Sequence, residues 1–327
     1  MQTNVWYNYN RREVIIQMRL SFKFKANISH KQLEIIKELS WHLTKLYNIA
    51  NYDIKNNMVK STYTKLEDQF KSNWHNQFLH SHNRQQLLKQ LSQDWKSYFV
   101  SLKDYKKNPD KYKNKPGIPN FKNMNKNPAE IIFTNLAIRI RDDKLLLSLS
   151  KAIKTKYQVN SLNFQLPTAV ESLVNLDRLQ QIRIKYDKLS NQWYLLVICK
   201  VKAKEKAKGN NIMAIDLGLN NLATITFKDN IESYIIDGKT IKSRNSYFNK
   251  ELSRLQSIRM KQTGSKYFKD SNQIKSLRLK RRNYIANYLH KASFKIVKLA
   301  KEYKVSRIII PGPLFNLRKD TPGMTVF

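Results

Sequence analysis

Hydrophobic and polar residues alternate near the start of the chain, between Val14 and Lys25. Apolar side chains occupy every second position from Val14 to Phe24, and from Gln17 onward the positions between them are polar or basic. Successive side chains of a β-strand point to opposite faces, so this alternation predicts a half-buried strand with a basic outer face.

A helical period begins directly after this strand, and Asn27 or Ser29 offers the helix an N-cap. Apolar residues recur every three or four positions as far as about Asn51, and the same spacing returns further along the chain. The residues that define the two periods are Leu33, Ile36, Leu39, Leu43, Leu46, Leu88, Leu91, Trp95, Tyr98 and Leu102. Residues 30–110 are therefore predicted to form a helical domain.

The next segment, KKNPDKYKNKPGIPNFKNMNKNP, has no apolar period and is predicted to be a basic connector. Strand patterns resume in EIIFTN, AIRIRDDKLLLSL, QQIRIKYD and QWYLLVICKVK, with turns predicted at 141–144 and 187–192. We expect residues 1–29 and 111–208 to form an antiparallel β-barrel domain into which the helical domain is inserted.

A charged stretch, KAKEKAKGNN, separates these strands from a last region, residues 209–327. This region opens with three short strand patterns, IMAIDLG, LATITFK and IESYIID, continues with a helical pair at 241–303, and reaches a further strand at Arg307–Ile310. The opening half of a ribonuclease H-like fold consists of three strands in a meander, followed by helices and a further strand. The whole chain is thus predicted to be an α+β multidomain protein.

The charge of the chain indicates its partner. The chain has 61 Lys and Arg residues and 24 Asp and Glu residues, which gives a formal net charge of +37 on 327 residues. Such a surface repels itself unless a polyanion neutralises it, and nucleic acid is the expected polyanion. An anionic membrane is disfavoured because no amphipathic basic helix or lipidation motif stands out. Disorder is disfavoured because 41% of the residues are hydrophobic.

The single cysteine, Cys199, lies in the apolar run WYLLVICKV and is interpreted as a buried strand residue. With one cysteine there is no internal disulfide, which fits a reducing compartment. No apolar run reaches the about 18 residues of a membrane-spanning helix, and no secretory signal is apparent. These features predict a cytoplasmic protein, and the abundance of Asn, Lys and Ile hints at a bacterial or mobile-element origin.

Asp216 is the candidate catalytic residue. It lies at the end of the first strand of the ribonuclease H-like region, where carboxylates from separate strands hold two divalent ions about 3.5 to 4 Å apart in nucleases of this fold. Oxygen ligands suit Mg²⁺ or Mn²⁺. Gly218 would allow a close backbone approach and Asn220 would hold the turn; an ordinary strand-end turn is the competing interpretation.

The stretch AIDLGLNNLATI resembles the first nuclease motif of the TnpB (OrfB) family of transposon-encoded RNA-guided nucleases, which are related to type V CRISPR effectors. LTKLYNIA resembles the helical recognition lobe of that family, KPGIPNFK its connector, and IRIKYDKLSNQWYLLVICKV the barrel hairpin that precedes its nuclease domain. The resemblance covers nearly the whole chain. It implies a guide RNA and a double-stranded DNA target as partners.

The sequence departs from the family pattern where cutting depends on it. The resemblance implies a Glu or Asp after the fourth strand, but the sequence there reads IIIPGPLFNLRKD, with Pro311, Gly312 and Pro313 at the site and no carboxylate before Asp320. It also implies C-x-x-C zinc knuckles and a third nuclease Asp, which are absent up to Phe327. The ribonuclease H-like (RuvC-type) domain is therefore expected to be incomplete, with Asp216 insufficient alone to hold the metal ions.

Three functional hypotheses follow from this combination. The first is an RNA-guided DNA-binding protein of the TnpB type that acts by occupying its target, as in transcriptional repression. The second is a truncated copy of an active transposon endonuclease, for which the tail DTPGMTVF would be a frameshifted or artificial end. The third is an unguided RNA-binding protein. Binding should need no cofactor, and Mg²⁺ would matter only to residual nuclease activity.

Two basic segments are the candidate nucleic-acid contacts. In the connector, basic residues alternate with rings, an arrangement suited to phosphates and unpaired bases. At the start of the last long helix, a basic cluster lies beside a stripe that runs from Ile285 to Leu299 and is expected to pack. The candidates are Lys111, Tyr112, Lys113, Lys115, Phe121, Lys122, Arg278, Lys280, Arg281 and Arg282. A solvated loop and a plain charged helix surface are the competing interpretations.

Three histidines, His75, His80 and His82, lie close together in the sequence. An H-x-H pair can bind zinc, but with no cysteine and few acidic residues nearby, solvated or core histidines are the better interpretation. No zinc is therefore expected at this segment. Phosphate-binding glycine loops are also absent from the sequence, which has only 7 glycines.

Overall fold

The computed structural model describes residues 17–25, 27–142, 144–166, 179–202, 209–228 and 232–311. They form two compact units, one within 17–202 and the other within 209–311. The beginning of the predicted first strand, most of the predicted charged boundary and the segment from Gly312 onward, with Pro313 and Asp320, lie outside the described residues.

The first unit combines four helices with seven strands among its described residues. In chain order these elements are β1 (Gln17–Lys25), α1 (His30–Lys55), α2 (Tyr63–Phe70), α3 (Ser81–Lys107), β2 (Ile131–Thr134), β3 (Ile138–Arg141), β4 (Lys144–Ser148), α4 (Lys151–Tyr157), β5 (Ser161–Gln165), β6 (Leu179–Asp187) and β7 (Gln192–Lys202). A short 3-10 helix, Trp74–Phe78, lies between α2 and α3. The predicted strands and the two long helices are all present. Elements α2, α4 and β5 were not predicted.

The strands of the first unit form two separate antiparallel sheets. One has the order β1-β7-β6-β2 and the other has the order β3-β4-β5. Each sheet has two end strands, so within the described residues neither closes on itself. The prediction of a β-barrel is therefore wrong for this part of the chain. The alternating strands and their hairpin turns were correctly predicted, but alternation does not determine which strands pair at the edges of a sheet.

Ser29 caps α1 as expected, in a capping box with Gln32. The apolar side of α1 packs with α3 and with both sheets in one hydrophobic core. Cys199 is fully buried in this core, as predicted, and burial raises the pKa of its thiol. Buried polar contacts tie the helices to the strands, since Asn83 on α3 donates a 2.7 Å hydrogen bond to the Ile132 carbonyl on β2.

The second unit contains a four-stranded sheet and two long helices. Its elements are β8 (Asn211–Leu217), β9 (Asn221–Phe227), β10 (Tyr234–Asp237), α5 (Lys239–Thr263), α6 (Asn272–Glu302) and β11 (Val305–Ile309). The sheet order is β10-β9-β8-β11, with β8, β9 and β10 antiparallel and β11 parallel to β8. The succession of elements along the chain, three strands, then helices and a fourth strand, is the one predicted for the opening half of a ribonuclease H-like fold.

One face of this sheet packs against the second half of α6. Met213, Ile215 and Ile225 form its core together with Ala292 and Leu299 from the helix. The predicted packing of the apolar stripe on α6 is confirmed at Ala292 and Leu299. It fails at Leu289, which is 45% exposed. No helix in the described parts of either unit is both long enough and apolar enough to span a membrane.

Candidate nucleic-acid interface

Asp216 lies near the C-terminal end of β8, and its side chain is exposed. On one side it pairs with Thr224 of β9. On the other side lies β11, whose Ile309 pairs with Ala214 in parallel register. If that register is continued by two residues, Pro311 comes level with Asp216. The position on the neighbouring strand beside Asp216 thus has no carboxylate.

The turn after Asp216 is held tightly against the start of α5. The Gly238 amide donates a 2.7 Å hydrogen bond to the Asn220 carbonyl, and Lys242 Nζ donates one of 3.1 Å to Asn220 Oδ1. A Cβ on Gly238 would lie 2.2 Å from the Leu219 carbonyl oxygen, and one on Gly218 would lie 2.8 Å from that of Asn221. The expected roles of Gly218 and Asn220 in a close turn agree with this geometry.

Asp237 is the other carboxylate that ends a strand at this edge of the sheet. Its Oδ1 accepts a 3.0 Å hydrogen bond from the Lys239 amide, and its Oδ2 accepts bonds from the amide and hydroxyl of Thr240 at 3.1 and 2.8 Å. These bonds lower the pKa of the Asp237 carboxyl and hold it against the first two amides of α5, one residue before the N-cap Gly238. Since β10 is two strands from β8, about 10 Å away, Asp237 does not complete a metal pair with Asp216.

The described residues therefore do not fit a two-metal nuclease site. Among them there is no group of three or more His, Cys, Asp and Glu residues that could hold a metal ion. Asp216 stands at the expected strand end, but neither Thr224, its partner on β9, nor any residue of β11 is a carboxylate. Asp216 as a catalytic or Mg²⁺-binding residue stays a prediction.

The connector runs along α1 in the opposite direction to the helix, bound by a row of polar side chains. Ser40 Oγ donates to the Ala129 carbonyl at 2.7 Å, and Thr44 Oγ1 accepts from the Ala129 amide at 2.9 Å. Asn48 accepts from the Lys122 amide at 2.8 Å and donates to its carbonyl at 2.9 Å. Asn51 donates to the Pro119 carbonyl at 2.9 Å. The connector is thus a docked segment, and Asn48 and Asn51 are positioning residues that the sequence analysis missed.

Some candidate contacts of the connector are exposed, whereas others already interact with neighbouring residues of the protein. Lys113 and Lys115 are exposed, as is Phe121 at 46%. Tyr112 donates a 2.8 Å hydrogen bond to Asp104, whose other carboxylate oxygen lies 3.7 Å from Lys111 Nζ. These geometries leave Lys113 and Lys115 best suited to contact phosphate.

Lys122 is directed inward. Its Nζ lies 4.5 Å from the centre of the Tyr47 ring, and burial lowers the pKa of its ammonium while Asp94 opposes that shift. Tyr47 itself donates a 3.1 Å hydrogen bond to Asp94. This arrangement makes Lys122 part of the packing between α1, α3 and the connector.

The basic cluster at the start of α6 is partly paired. Arg278 forms a 2.6 Å ion pair with Asp270, Arg281 and Arg282 each interact with another group, and Lys280 is exposed. The surroundings remain strongly basic, because residues 239–302 contain 18 Lys and Arg against 3 Asp and Glu. The two helices therefore present a positive surface.

A pocket of about 510 Å³ opens beside this surface, at the beginning of α5. Lys239, Thr240, Ser243, Arg244 and Tyr284 line it. The Arg244 guanidinium lies 5.5 Å from the Tyr284 ring centre and 5.7 Å from that of Tyr247. These cationic, hydroxyl and aromatic groups suit a nucleotide, and the sequence analysis missed them because they come from two helices and meet only in the fold.

The histidines pack as the sequence analysis favoured. His75 Nδ1 lies 2.9 Å from Nδ1 of the buried His42, so the two rings share a hydrogen bond. His80 Nδ1 accepts from the His82 amide at 3.3 Å, and His82 contacts the Thr134 hydroxyl. The absence of zinc stays a prediction.

Comparison with known proteins agrees with this arrangement. Residues 184–316 match the OrfB_IS605 family, described as "Probable transposase". The TnpB-like protein ORF457 of Acidianus two-tailed virus is 22% identical, over 94% of this chain and 69% of its own length. Cas12f1, solved as a complex with sgRNA and target DNA, is 14% identical with a TM-score of 0.52, over 87% of this chain. The chain spans 66% of the length of that Cas12f1 chain.

The fold is therefore a mixed α/β architecture of the Cas12f type, with a ribonuclease H-like sheet in its second unit. Residues 184–316 thus match the OrfB_IS605 family, and the chain as a whole is similar to a TnpB-like protein.

Proposed function

We propose that this protein binds a guide RNA and uses it to hold a double-stranded DNA target, and that it occupies the target without cutting it. The match of residues 184–316 to the OrfB_IS605 family and the likeness to Cas12f1, which was solved with sgRNA and target DNA, support the binding. A net charge of +37 supplies the affinity for phosphate. In this class of protein, pairing with the guide reads the target sequence.

The proposal that the target is not cut rests on one observation, the register between β8 and β11. β11 pairs with β8 as far as Ile309 and Ala214, and two further residues in the same register would bring Pro311, which has no ionisable side chain, level with Asp216. A lone carboxylate cannot neutralise and position two divalent cations on a phosphodiester. Occupancy of a promoter would block transcription, so repression is the most economical use of such a complex.

A second candidate is RNA-guided DNA cleavage by a longer form of the protein. The chain spans 66% of the length of that Cas12f1 chain, and in this candidate the remaining carboxylates come from residues beyond those described. Reading the DNA downstream of codon 327 separates the two candidates. A continuing frame with C-x-x-C pairs and another Asp would favour the endonuclease.

The binding is tested by purifying the protein from its host and sequencing the RNA that accompanies it. One dominant structured RNA with a variable end supports guidance, whereas a diffuse mixture would favour an unguided RNA-binding protein. The complex, given a guide of chosen sequence, should then shift a matched DNA duplex in a gel and leave a mismatched duplex unshifted. With Mg²⁺ present, the matched duplex should stay intact.

A further inference from the structure

Two tryptophans in the first unit flank a pair of imidazoles at the surface. The Trp41 ring centre lies 4.8 Å from that of His42 and 5.5 Å from that of His75. The Trp74 ring centre lies 5.6 and 5.0 Å from the same two rings. Trp41 comes from α1 and Trp74 from the 3-10 helix, so this aromatic cluster exists only in the folded chain.

Both indoles are exposed although rigidly supported. Trp41 is 38% exposed and Trp74 is 60% exposed, whereas tryptophan is on average highly buried. Beneath them the His42 ring is stacked on Phe78 at 4.3 Å. The two imidazoles share their 2.9 Å hydrogen bond, which fixes their orientation. An exposed ring that is already held in place loses little freedom when a flat ligand stacks on it.

Two lysines flank the cluster on the solvent face of α1. Lys37 and Lys45 are both exposed and lie four residues before and after Trp41, so they share its side of the helix. Lys45 Nζ lies 5.6 Å from the centre of the Trp41 ring. Ammonium groups beside exposed rings complement a phosphate that is attached to an unpaired base.

We propose that Trp41 and Trp74 form a stacking platform for an unpaired base of single-stranded RNA, with Lys37 and Lys45 contacting its phosphates. The assignment to RNA rests on the proposed function, in which the guide is the strand that is bound before any DNA is opened. An apolar protein segment is the competing occupant, but such a segment has no negative charge to complement the lysines on this side of α1.

The test uses the full chain, freed of co-bound RNA, and a labelled RNA of about six nucleotides, within the usual range of single-stranded sites. Trp74→Ala should weaken binding about tenfold, because stacking on one ring is lost. The slope of log affinity against log salt should stay unchanged, because no phosphate contact is lost. Lys45→Ala should instead reduce that slope by about 1.

Two controls separate stacking from other effects. Phe99, 50% exposed on α3, gives the matched variant Phe99→Ala, which should bind like the unaltered protein. An abasic strand of the same length should bind Trp74→Ala and the unaltered protein equally. The proposal would be overturned if Trp74→Ala bound the base-containing RNA as tightly as the unaltered protein does. It would also be overturned if Trp74→Ala weakened binding of the abasic strand by the same factor as binding of the base-containing RNA. Trp74→Phe keeps an aromatic ring and should recover most of the affinity, which a folding defect would not allow.

The source of the base is tested in the complex purified from cells. Ultraviolet crosslinking should join the peptide that contains Trp74 to RNA, and crosslinks to a protein or to DNA alone would overturn the assignment to RNA. If no single structured RNA accompanies the protein, the proposed function fails, whereas the oligonucleotide titration still decides whether the platform exists.

Discussion

Asn48 and Lys122 are 74 residues apart in sequence, yet the Asn48 side chain bonds both the amide and the carbonyl of Lys122, at 2.8 and 2.9 Å. An amide side chain satisfies an extended backbone in this way without needing a strand partner. The contact fixes the basic connector along α1. The positions of its lysines are therefore set by the helix.

Asn48→Ala should lower the free energy of unfolding by about 1 to 3 kcal/mol, because it leaves two partly buried backbone groups without their partner. Urea unfolding followed by circular dichroism measures the change. Asn56, which bonds only the Tyr52 carbonyl of its own helix end, gives the control Asn56→Ala, expected to change stability by less than about 0.5 kcal/mol. Equal effects of the two substitutions would contradict the role assigned to Asn48.

Lys113 and Lys122 should behave differently although both belong to the same basic segment. Lys113→Ala removes an exposed cation and should reduce the slope of log affinity against log salt for RNA by about 1. Lys122→Ala should leave the slope unchanged and reduce stability, since the ammonium packs over Tyr47. Titrations at several salt concentrations and a thermal unfolding curve distinguish the two. A reduced slope for Lys122→Ala would instead indicate that Lys122 contacts nucleic acid.

Gly238 should be difficult to replace by any other residue. A Cβ there would lie 2.2 Å from the Leu219 carbonyl oxygen, so Gly238→Ala must push apart the turn after Asp216 and the start of α5. A loss of several kcal/mol in stability is expected, as for other overpacked backbone contacts. Gly117, which has nothing within 4 Å of its Cβ position, is the control, and Gly117→Ala should be tolerated. Similar melting temperatures for the two variants would refute the close packing.

The sequence predicted most of the elements, because alternation and helical period are local properties of the chain. It did not predict the pairing of strands, so two open sheets were interpreted as one barrel. Pairing depends on contacts between distant residues that a local pattern does not encode. The strand order of the second unit was predictable because three consecutive strands pair as hairpin neighbours and the fourth returns beside the first.

The docking of the connector left a signal in the sequence. Ser40, Thr44, Asn48 and Asn51 follow the helical period within an otherwise apolar side of α1. Polar residues in such a row indicate a backbone that needs hydrogen bonds. Which backbone they bind could not be predicted, since that requires the fold. The same holds for the pocket beside Arg244, whose members come from two helices.

His42 should make the protein less stable in acid. Burial, reinforced by His75, lowers the pKa of His42 to about 4 from 6.5, although Glu38 opposes the shift. Between these values the unfolded chain takes up a proton that the folded chain does not. Stability should therefore fall by up to about 3 kcal/mol as the pH decreases from about 6.5 to about 4. Unfolding of the unaltered protein and of His42→Gln across this range measures the effect.

The difference between these two proteins should shrink as the pH falls, because His42→Gln removes the group that takes up the proton. His290, exposed on α6, provides the control: His290→Gln should follow the unaltered protein at every pH. A constant difference between His42→Gln and the unaltered protein across the range would show that burial of His42 has no linkage to stability.

Asp216→Asn should leave DNA binding by the guided complex within about twofold of the unaltered protein, because phosphate contacts supply most of the affinity and Asp216 makes none of them. We also expect Asp216→Asn, like the unaltered chain, to leave the matched duplex uncut with Mg²⁺, because no residue of β11 offers Asp216 a second carboxylate. Gel shift and cleavage assays on one guide and target measure both. Robust Mg²⁺-dependent cleavage by this chain, abolished by Asp216→Asn, would overturn the occupancy proposal and make Asp216 a working metal ligand.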